Sequence, residues 1–147
     1  MKDYKEISIT EICKEAKVSR TAFYKNYKTK EDVIKDIIID LNNVFVNEVG
    51  SPFTKLDKEY YKFFLSKVFE YKDVILFMNN TGFKDGYLQI TNKIILGKES
   101  NKNVSKLQKL IWNGGIQNII NYVLSNGLEY DIDEIATTLA NTIRIEG

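Results

Sequence analysis

An all-α fold is what this sequence predicts, on three observations. Apolar residues recur at three- and four-residue spacing, as in Ile34, Ile37, Ile38, Leu41, Val44 and Phe45, which is the period of a helix with one buried face. Capping residues stand where such runs begin: Ser8, Ser19, Thr29, Asp57 and Asp131 all carry side chains that accept from the unpaired N–H groups of a helix start. No stretch alternates apolar and polar residues convincingly enough to read as a strand, and no internal repeat is present.

The first elements are short. Ser8 with Glu11 has the capping-box spacing, Ser19 opens a second helix that runs through Tyr27, and Thr29 with Asp32 opens a third. Three caps between positions 8 and 32 bound two short helices joined by a tight turn, a helix-turn-helix. Ile12, Ala16, Val18 and Phe23 are the apolar residues available to pack the pair, with small Cys13 and Ala16 permitting a close crossing. That leaves Arg20, Thr21, Ala22 and Lys25 facing outward. Between residues 14 and 30 six basic side chains stand against the single acid Glu15, a local +5 in a chain whose total is +1. A basic surface around a short helix suits the major groove of duplex DNA, where phosphate contacts position and base contacts specify. A solvated helical hairpin with ordinary surface lysines is the alternative on charge alone.

The third helix continues as one long amphipathic helix that ends before Ser51-Pro52. Asp57 caps the next, with Leu56 and Tyr61 placed as a hydrophobic staple and the stripe Tyr60, Phe63, Phe64, Val68 carrying it to about Tyr71. A shorter helix holding Val74, Ile75, Phe77 and Met78 stops at Asn80-Thr-Gly82. Another runs through Tyr87, Ile90, Ile94 and Ile95 to Gly97, followed by a polar loop over 98–103. From Val104 to Leu124 the set Leu107, Leu110, Ile111, Gly115, Ile119, Tyr122 and Val123 forms an apolar face, closed by Asn126-Gly127. Asp131 with Glu134 caps a last helix with Ile132, Ile135, Ala136, Leu139 and Ile143 inward. Gly114-Gly115 lies inside a helix, where each glycine costs about 1 kcal/mol relative to alanine. Close approach of another backbone offsets that cost, whether from a second copy or from a crossing within the chain. The domain division expected is a helix-turn-helix domain over 1–36 and a helical regulatory and dimerisation domain over 37–147.

Composition narrows the chemistry. At 147 residues with 44% hydrophobic and 28% charged content, the chain has the make-up of an ordinary globular protein. It has no histidine and only Cys13, so a histidine-dependent triad, a histidine-containing zinc site and a thiolate cluster are excluded within it. No glycine-rich phosphate loop is present. Catalytic residues, metal ligands and cofactors are therefore expected to be none, and the acids Asp131 and Asp133 are better explained by capping than by enzyme chemistry. The apolar stretches fall below a membrane span, and Met1-Lys-Asp-Tyr-Lys-Glu6 lacks the apolar core of a signal peptide. No membrane partner is expected, and a cytoplasmic location follows by default.

These residues resemble the tetracycline-repressor (TetR) family of bacterial transcriptional regulators. Its pattern is roughly Thr-x-x-x-Ile-Ala-x-x-Ala-Gly-Val-Ser-x-Gly-x-Leu/Phe-Tyr-x-His/Tyr-Phe-x-x-Lys-Glu-x-Leu. Ile12, Ala16, Val18, Ser19, Phe23, Tyr24, Tyr27, Lys30 and Glu31 fall in register with it. The resemblance implies Arg20, Thr21 and Lys25 near base edges or phosphates, Ser8, Ser19 and Tyr24 on phosphates, and Lys30 on a phosphate at a helix N-terminus. The turn glycine of the family is Lys17 here, which costs on the order of 1 kcal/mol if the left-handed conformation is kept. The family also carries an amphipathic first helix, for which the seven residues before Ser8 are too few. The expectation is a DNA-binding domain lacking that helix, with Ile7, Ile9, Ile12 and Phe23 partly uncovered.

The resemblance further implies that the last two helices pack against a twin as a four-helix bundle, with Gly114, Gly115, Ile119, Tyr122, Ile135 and Leu139 at the interface. The run from Trp112 to Tyr122 with Asp133-Glu-Ile-Ala136 also resembles the C-terminal domain of a branch from low-GC bacteria. A homodimer fits a palindromic site, since two reading heads on a two-fold axis address two half-sites. Phe63, Phe64, Phe77, Met78, Phe83, Tyr87 and Trp112 form an aromatic-rich set suited to a cavity for a small apolar or aromatic effector. The function expected is an effector-responsive repressor on double-stranded DNA. The alternative is a helical ligand-binding or protein-interaction relative that has lost DNA binding with its first helix.

Overall fold

The computed structural model describes residues 4–80, 84–98, 103–126 and 130–145, and among these the regular structure is helical, as the sequence predicts. Gly82, Phe83, Gly127 and most of the polar loop after Gly97 lie outside the described residues. Among the described residues before Ser8 the regular structure is one 3-10 turn, Tyr4–Glu6.

The capping residues set the boundaries. Ser8 Oγ accepts from the Glu11 N–H at 3.1 Å and Ser19 Oγ from that of Ala22 at 3.0 Å, opening α1 (Ile9–Ala16) and α2 (Arg20–Asn26). Between them Lys17 takes the left-handed conformation, φ 56° and ψ 42°, so the turn keeps the family's backbone without its glycine. Thr29 and Asp32 form a reciprocal capping box at the start of α3 (Lys30–Val49), which ends at Gly50 with φ 93°. This helix runs unbroken across positions 36 and 37.

Then follow α4 (Lys58–Glu70), α5 (Lys72–Asn80), α6 (Lys84–Leu96), α7 (Lys106–Ser125) and α8 (Ile132–Thr142). Leu56 and Tyr61, the staple pair, are both fully buried. The main core forms where α4 packs along α8 and α6 along α7, with Leu65, Val68, Trp112, Ile116, Ala136 and Leu139 at its centre. Two of its aromatic side chains are tied by hydrogen bonds: the Trp112 indole N–H donates to Tyr61 Oη at 3.2 Å, and Tyr61 donates to Ile143 O at 2.7 Å. An isolated antiparallel bridge between Leu56 and Ile145 fastens the C-terminal end to the segment before α4. A second, smaller core lies between α3, α5 and α6, where Ile34, Ile38 and Met78 are joined by Tyr4, Phe77 and Tyr87.

Some helix faces differ from the expectation. On α4 the buried stripe is Tyr61, Phe64, Leu65 and Val68, while Phe63 is 51% exposed. On α7 the inward residues are Trp112, Asn113, Ile116, Ile120 and Val123, whereas Leu107, Ile111 and Tyr122 are 71%, 65% and 58% exposed. That helix carries two apolar stripes, and the one bearing the bulky indole faces the core. α7 also begins with a capping box that the sequence reading passed over, Ser105 with Gln108. Among the described residues neither glycine of α7 meets another backbone: a Cβ on Gly114 would have open space, and one on Gly115 would touch Ile143 Cδ1 at 3.9 Å.

Candidate nucleic-acid interface

Two residues, Cys13 and Phe23, are buried at the crossing of α1 and α2, each 5% exposed. Ala16 and Val18, expected to pack there, are exposed, and the Phe23 ring is flanked instead by Tyr24 at 5.3 Å and Tyr27 at 5.5 Å. Phe23 is therefore covered, contrary to expectation, while Ile7, Ile9 and Ile12 are half-buried. Small apolar area makes the pair depend on polar clasps. The Arg20 guanidinium donates to Thr10 Oγ1 at 2.8 Å and lies 5.9 Å from the Tyr24 ring centre. Tyr27 bonds to the Asp36 carboxylate, which pushes its hydroxyl pKa up. The Asp32 carboxyl is held below the usual range by the backbone N–H groups of Thr29 and Lys28.

These clasps leave one face of α2 open. Arg20 with Tyr24 and Thr21 with Lys25 are pairs one helical turn apart, and all four side chains are exposed. Lys14, Lys17 and Lys28 are exposed around them. The hydroxyls of Ser8 and Ser19 accept helix N–H groups as caps, and each retains its own proton for an outside acceptor.

Lys30 is placed differently. Its ammonium donates to Tyr4 O at 2.7 Å, Lys5 O at 2.9 Å and Ile7 O at 2.9 Å and lies 5.5 Å from the Tyr4 ring centre. All three donors of the side chain are used. It ties the 3-10 turn to the start of α3 rather than pointing at a phosphate.

A second candidate site is a cavity of about 90 Å³ in the body, walled by α3, α4, α5, α6 and α7. Of the aromatic set expected there, Phe64, Tyr87 and Trp112 line it. Phe63 sits on the outer surface and Phe77 and Met78 belong to the smaller core, while Phe83 is outside the described residues. The sequence reading missed its polar wall, Asn42, Thr91, Asn113 and Gln117. The available signal was polar residues set within apolar stripes, Asn42 between Leu41 and Phe45, and Asn113 and Gln117 between Trp112 and Ile120.

The residues expected at a dimer interface divide. Tyr122 is exposed and Gly114, Gly115 and Ile119 half-buried on the outer side of α7, but Ile135 and Leu139 are 6% and 2% exposed. Those two pack into the protomer's own core through α4, and Ile135 also reaches the floor of an open groove that it shares with Ile119 and Tyr122.

Among the described residues no helix is long and apolar enough to cross a membrane, and no cluster of metal-ligating side chains is found. No curated protein and no solved structure shows a significant match to the chain. Residues 2–37 match the family model of bacterial regulatory proteins, tetR family, the segment in which α1, the left-handed turn, α2 and the start of α3 build the exposed basic face. Over these residues the chain is similar to the DNA-binding domain of the tetR family of bacterial regulatory proteins, which supports reading it as a DNA-binding transcriptional regulator.

Proposed function

We propose that the chain is an effector-responsive repressor that binds a palindromic operator as a homodimer in the cytoplasm. The observation that carries the reading is the exposed face of α2, where Arg20, Thr21, Tyr24 and Lys25 stand together among exposed lysines. In this reading Arg20, Thr21 and Lys25 reach base edges or phosphates, and Tyr24, Ser8 and Ser19 bind phosphates. Lys30 acts indirectly by holding the N-terminal turn.

The dimer is supported by the outer stripe of α7. Leu107, Ile111, Gly114 and Tyr122 fall on one side of the helix, apolar or small and facing solvent in the single chain. A helix laid across Gly114 would approach closely, which accounts for a glycine that meets nothing within its own chain. Effector response is supported by two shared residues. Ile38 and Tyr87 line the cavity and also belong to the smaller core that seats Tyr4, so a ligand that moves them moves the seating of the reading head. Only a ligand that binds the two arrangements differently shifts their balance.

The test is the solution mass of the chain with DNase protection of the DNA upstream of its own gene. We expect a dimer protecting a site with two-fold symmetry, and an Ile111→Asp variant that is monomeric and binds at least tenfold more weakly. A monomeric chain protecting an asymmetric site would overturn the reading.

A further inference from the structure

The chemistry of the cavity wall indicates the class of molecule it takes, and this rests on the regulatory reading above. Among the described residues lining the cavity there is no acid, lysine or arginine. Tyr87 is the titratable member, and burial pushes its hydroxyl up to about 12, so the wall is uncharged at neutral pH. An ionised ligand would lose its hydration there and gain no counter-charge.

The donors of Thr91, Asn113 and Gln117 are already committed. Thr91 Oγ1 donates to the carbonyls of its own helix, Tyr87 O at 2.9 Å and Leu88 O at 3.0 Å, so toward the cavity it acts as an acceptor. It receives the Asn113 amide at 3.0 Å and the Gln117 amide at 2.6 Å. The second Asn113 proton goes to Asn92 Oδ1 at 2.8 Å, and the second Gln117 proton to Asn113 Oδ1 at 3.1 Å. The Trp112 N–H is held by Tyr61. Against this closed network, Asn42 Oδ1 on α3 is buried with no partner. A buried acceptor lacking a donor is unfavourable, and a ligand that supplies the donor removes that cost.

Size gives the consequence. At about 90 Å³ the cavity is smaller than the ~150 Å³ apolar cavity that accommodates benzene, so a ring compound enters only by displacing a wall. The Asn113 and Gln117 amides tie α7 to α6, while among the described residues no hydrogen bond ties α3 to either. That leaves α3, held to α4 by the Glu48–Lys67 ion pair, free to shift relative to α6 and α7, and its first turn is part of the reading head.

We propose that the cavity binds a small, uncharged molecule with a compact apolar body and one hydrogen-bond donor, of the phenol type, and that Asn42 Oδ1 on α3 accepts that donor. Phenol, its near-isostere toluene and the anion benzoate are the probes, titrated calorimetrically into the full chain and into Asn42→Leu. Phenol should bind at least tenfold more tightly than toluene, with no benzoate binding. Asn42→Leu should reverse the phenol and toluene preference and raise the melting temperature of the unliganded chain, and Asn42→Ser, which adds no apolar bulk, should lose phenol affinity alike. Equal affinity for phenol and toluene, preference for benzoate, an unchanged preference in Asn42→Leu, or no binding of any probe would overturn the assignment. DNA affinity measured with phenol bound separates the two ideas: selective phenol binding that leaves DNA affinity unchanged counts against effector control and leaves the site standing.

Discussion

The reading head and the body of this protein are held together by different physics. In the head, Cys13 and Phe23 are the buried residues of α1 and α2, and the helices are set by three side-chain caps, the Arg20 to Thr10 clasp and the Lys30 tether. In the body, α4, α7 and α8 bury Tyr61, Leu65, Trp112, Ile116, Ala136 and Leu139 in one continuous core. Capping interactions contribute roughly 1 kcal/mol each, whereas a buried large apolar side chain contributes about 1.5–3 kcal/mol. A head fixed by polar clasps can shift as a unit on a body that does not. The effector-responsive reading proposed above requires that combination, a head that is repositioned on a body that stays folded.

The contrast can be broken by mutation, and the largest effect belongs to the body. Leu139→Ala should cost about 2–5 kcal/mol of stability by leaving a cavity between α8 and α4, seen as a lower denaturant midpoint for the entire chain. A cost under about 1 kcal/mol would mean that the core is not the close-packed element described. Next is Lys30→Met, which removes three hydrogen bonds from a charged donor at a partly exposed site. We expect a loss on the order of 1 kcal/mol, confined to faster amide exchange in residues 4–30. The salt dependence of DNA binding separates the two roles of this lysine: a tether leaves the slope unchanged, and a phosphate contact lowers it by about 1 on removal.

Lys17→Gly sharpens the contrast in the other direction. A side chain held at φ 56° is strained, and glycine relieves about 1 kcal/mol of that strain. Part of the gain is lost to the greater freedom of glycine in the unfolded chain, so the head should be modestly stabilised, seen as slower amide exchange in α1 and α2. The smallest effect is on pH. Asp32 is depressed by the backbone N–H groups of Thr29 and Lys28, and Asp57 by that of Tyr60. A carboxyl with a lowered folded pKa contributes stability that is present above its unfolded value near 4 and lost as pH falls through the folded value. Acid should therefore loosen the starts of α3 and α4 below about pH 4, and Asp32→Asn should flatten that response in the head.

How much of this was legible in sequence follows from the range of each interaction. Caps act over three residues, so Ser8, Ser19, Thr29, Asp57 and Asp131 could be read one by one, and with them the succession of helices. The left-handed Lys17 was legible because the surrounding residues matched a family pattern that marks the turn. Which face of a helix turns inward depends on partners distant in sequence, and there the reading failed. α7 carries two apolar stripes, and only packing against α6 and α4 selects the one with Trp112. The amides of Asn42, Asn113 and Gln117 read as ordinary polar helix residues, because their meeting point exists only in three dimensions. Lys109 is a similar case: it reads as a surface lysine, but it is 6% exposed, donates to Lys98 O at 2.8 Å and lies 5.4 Å from the Phe53 ring centre. Lys30 shows the complementary limit, since family register pointed its charge outward and the carbonyls of residues 4, 5 and 7 turn it inward.

The most direct measurement is the affinity of this 147-residue chain for DNA upstream of its own gene across a salt series, with an Arg20→Ala, Lys25→Ala double variant alongside. The account predicts sequence-selective binding that weakens steeply with salt and a folded variant that loses about a hundredfold in affinity, on the order of 1–3 kcal/mol for each base-reading contact removed. A folded chain with no selective binding, or a double variant that binds as tightly as the parent, would contradict it.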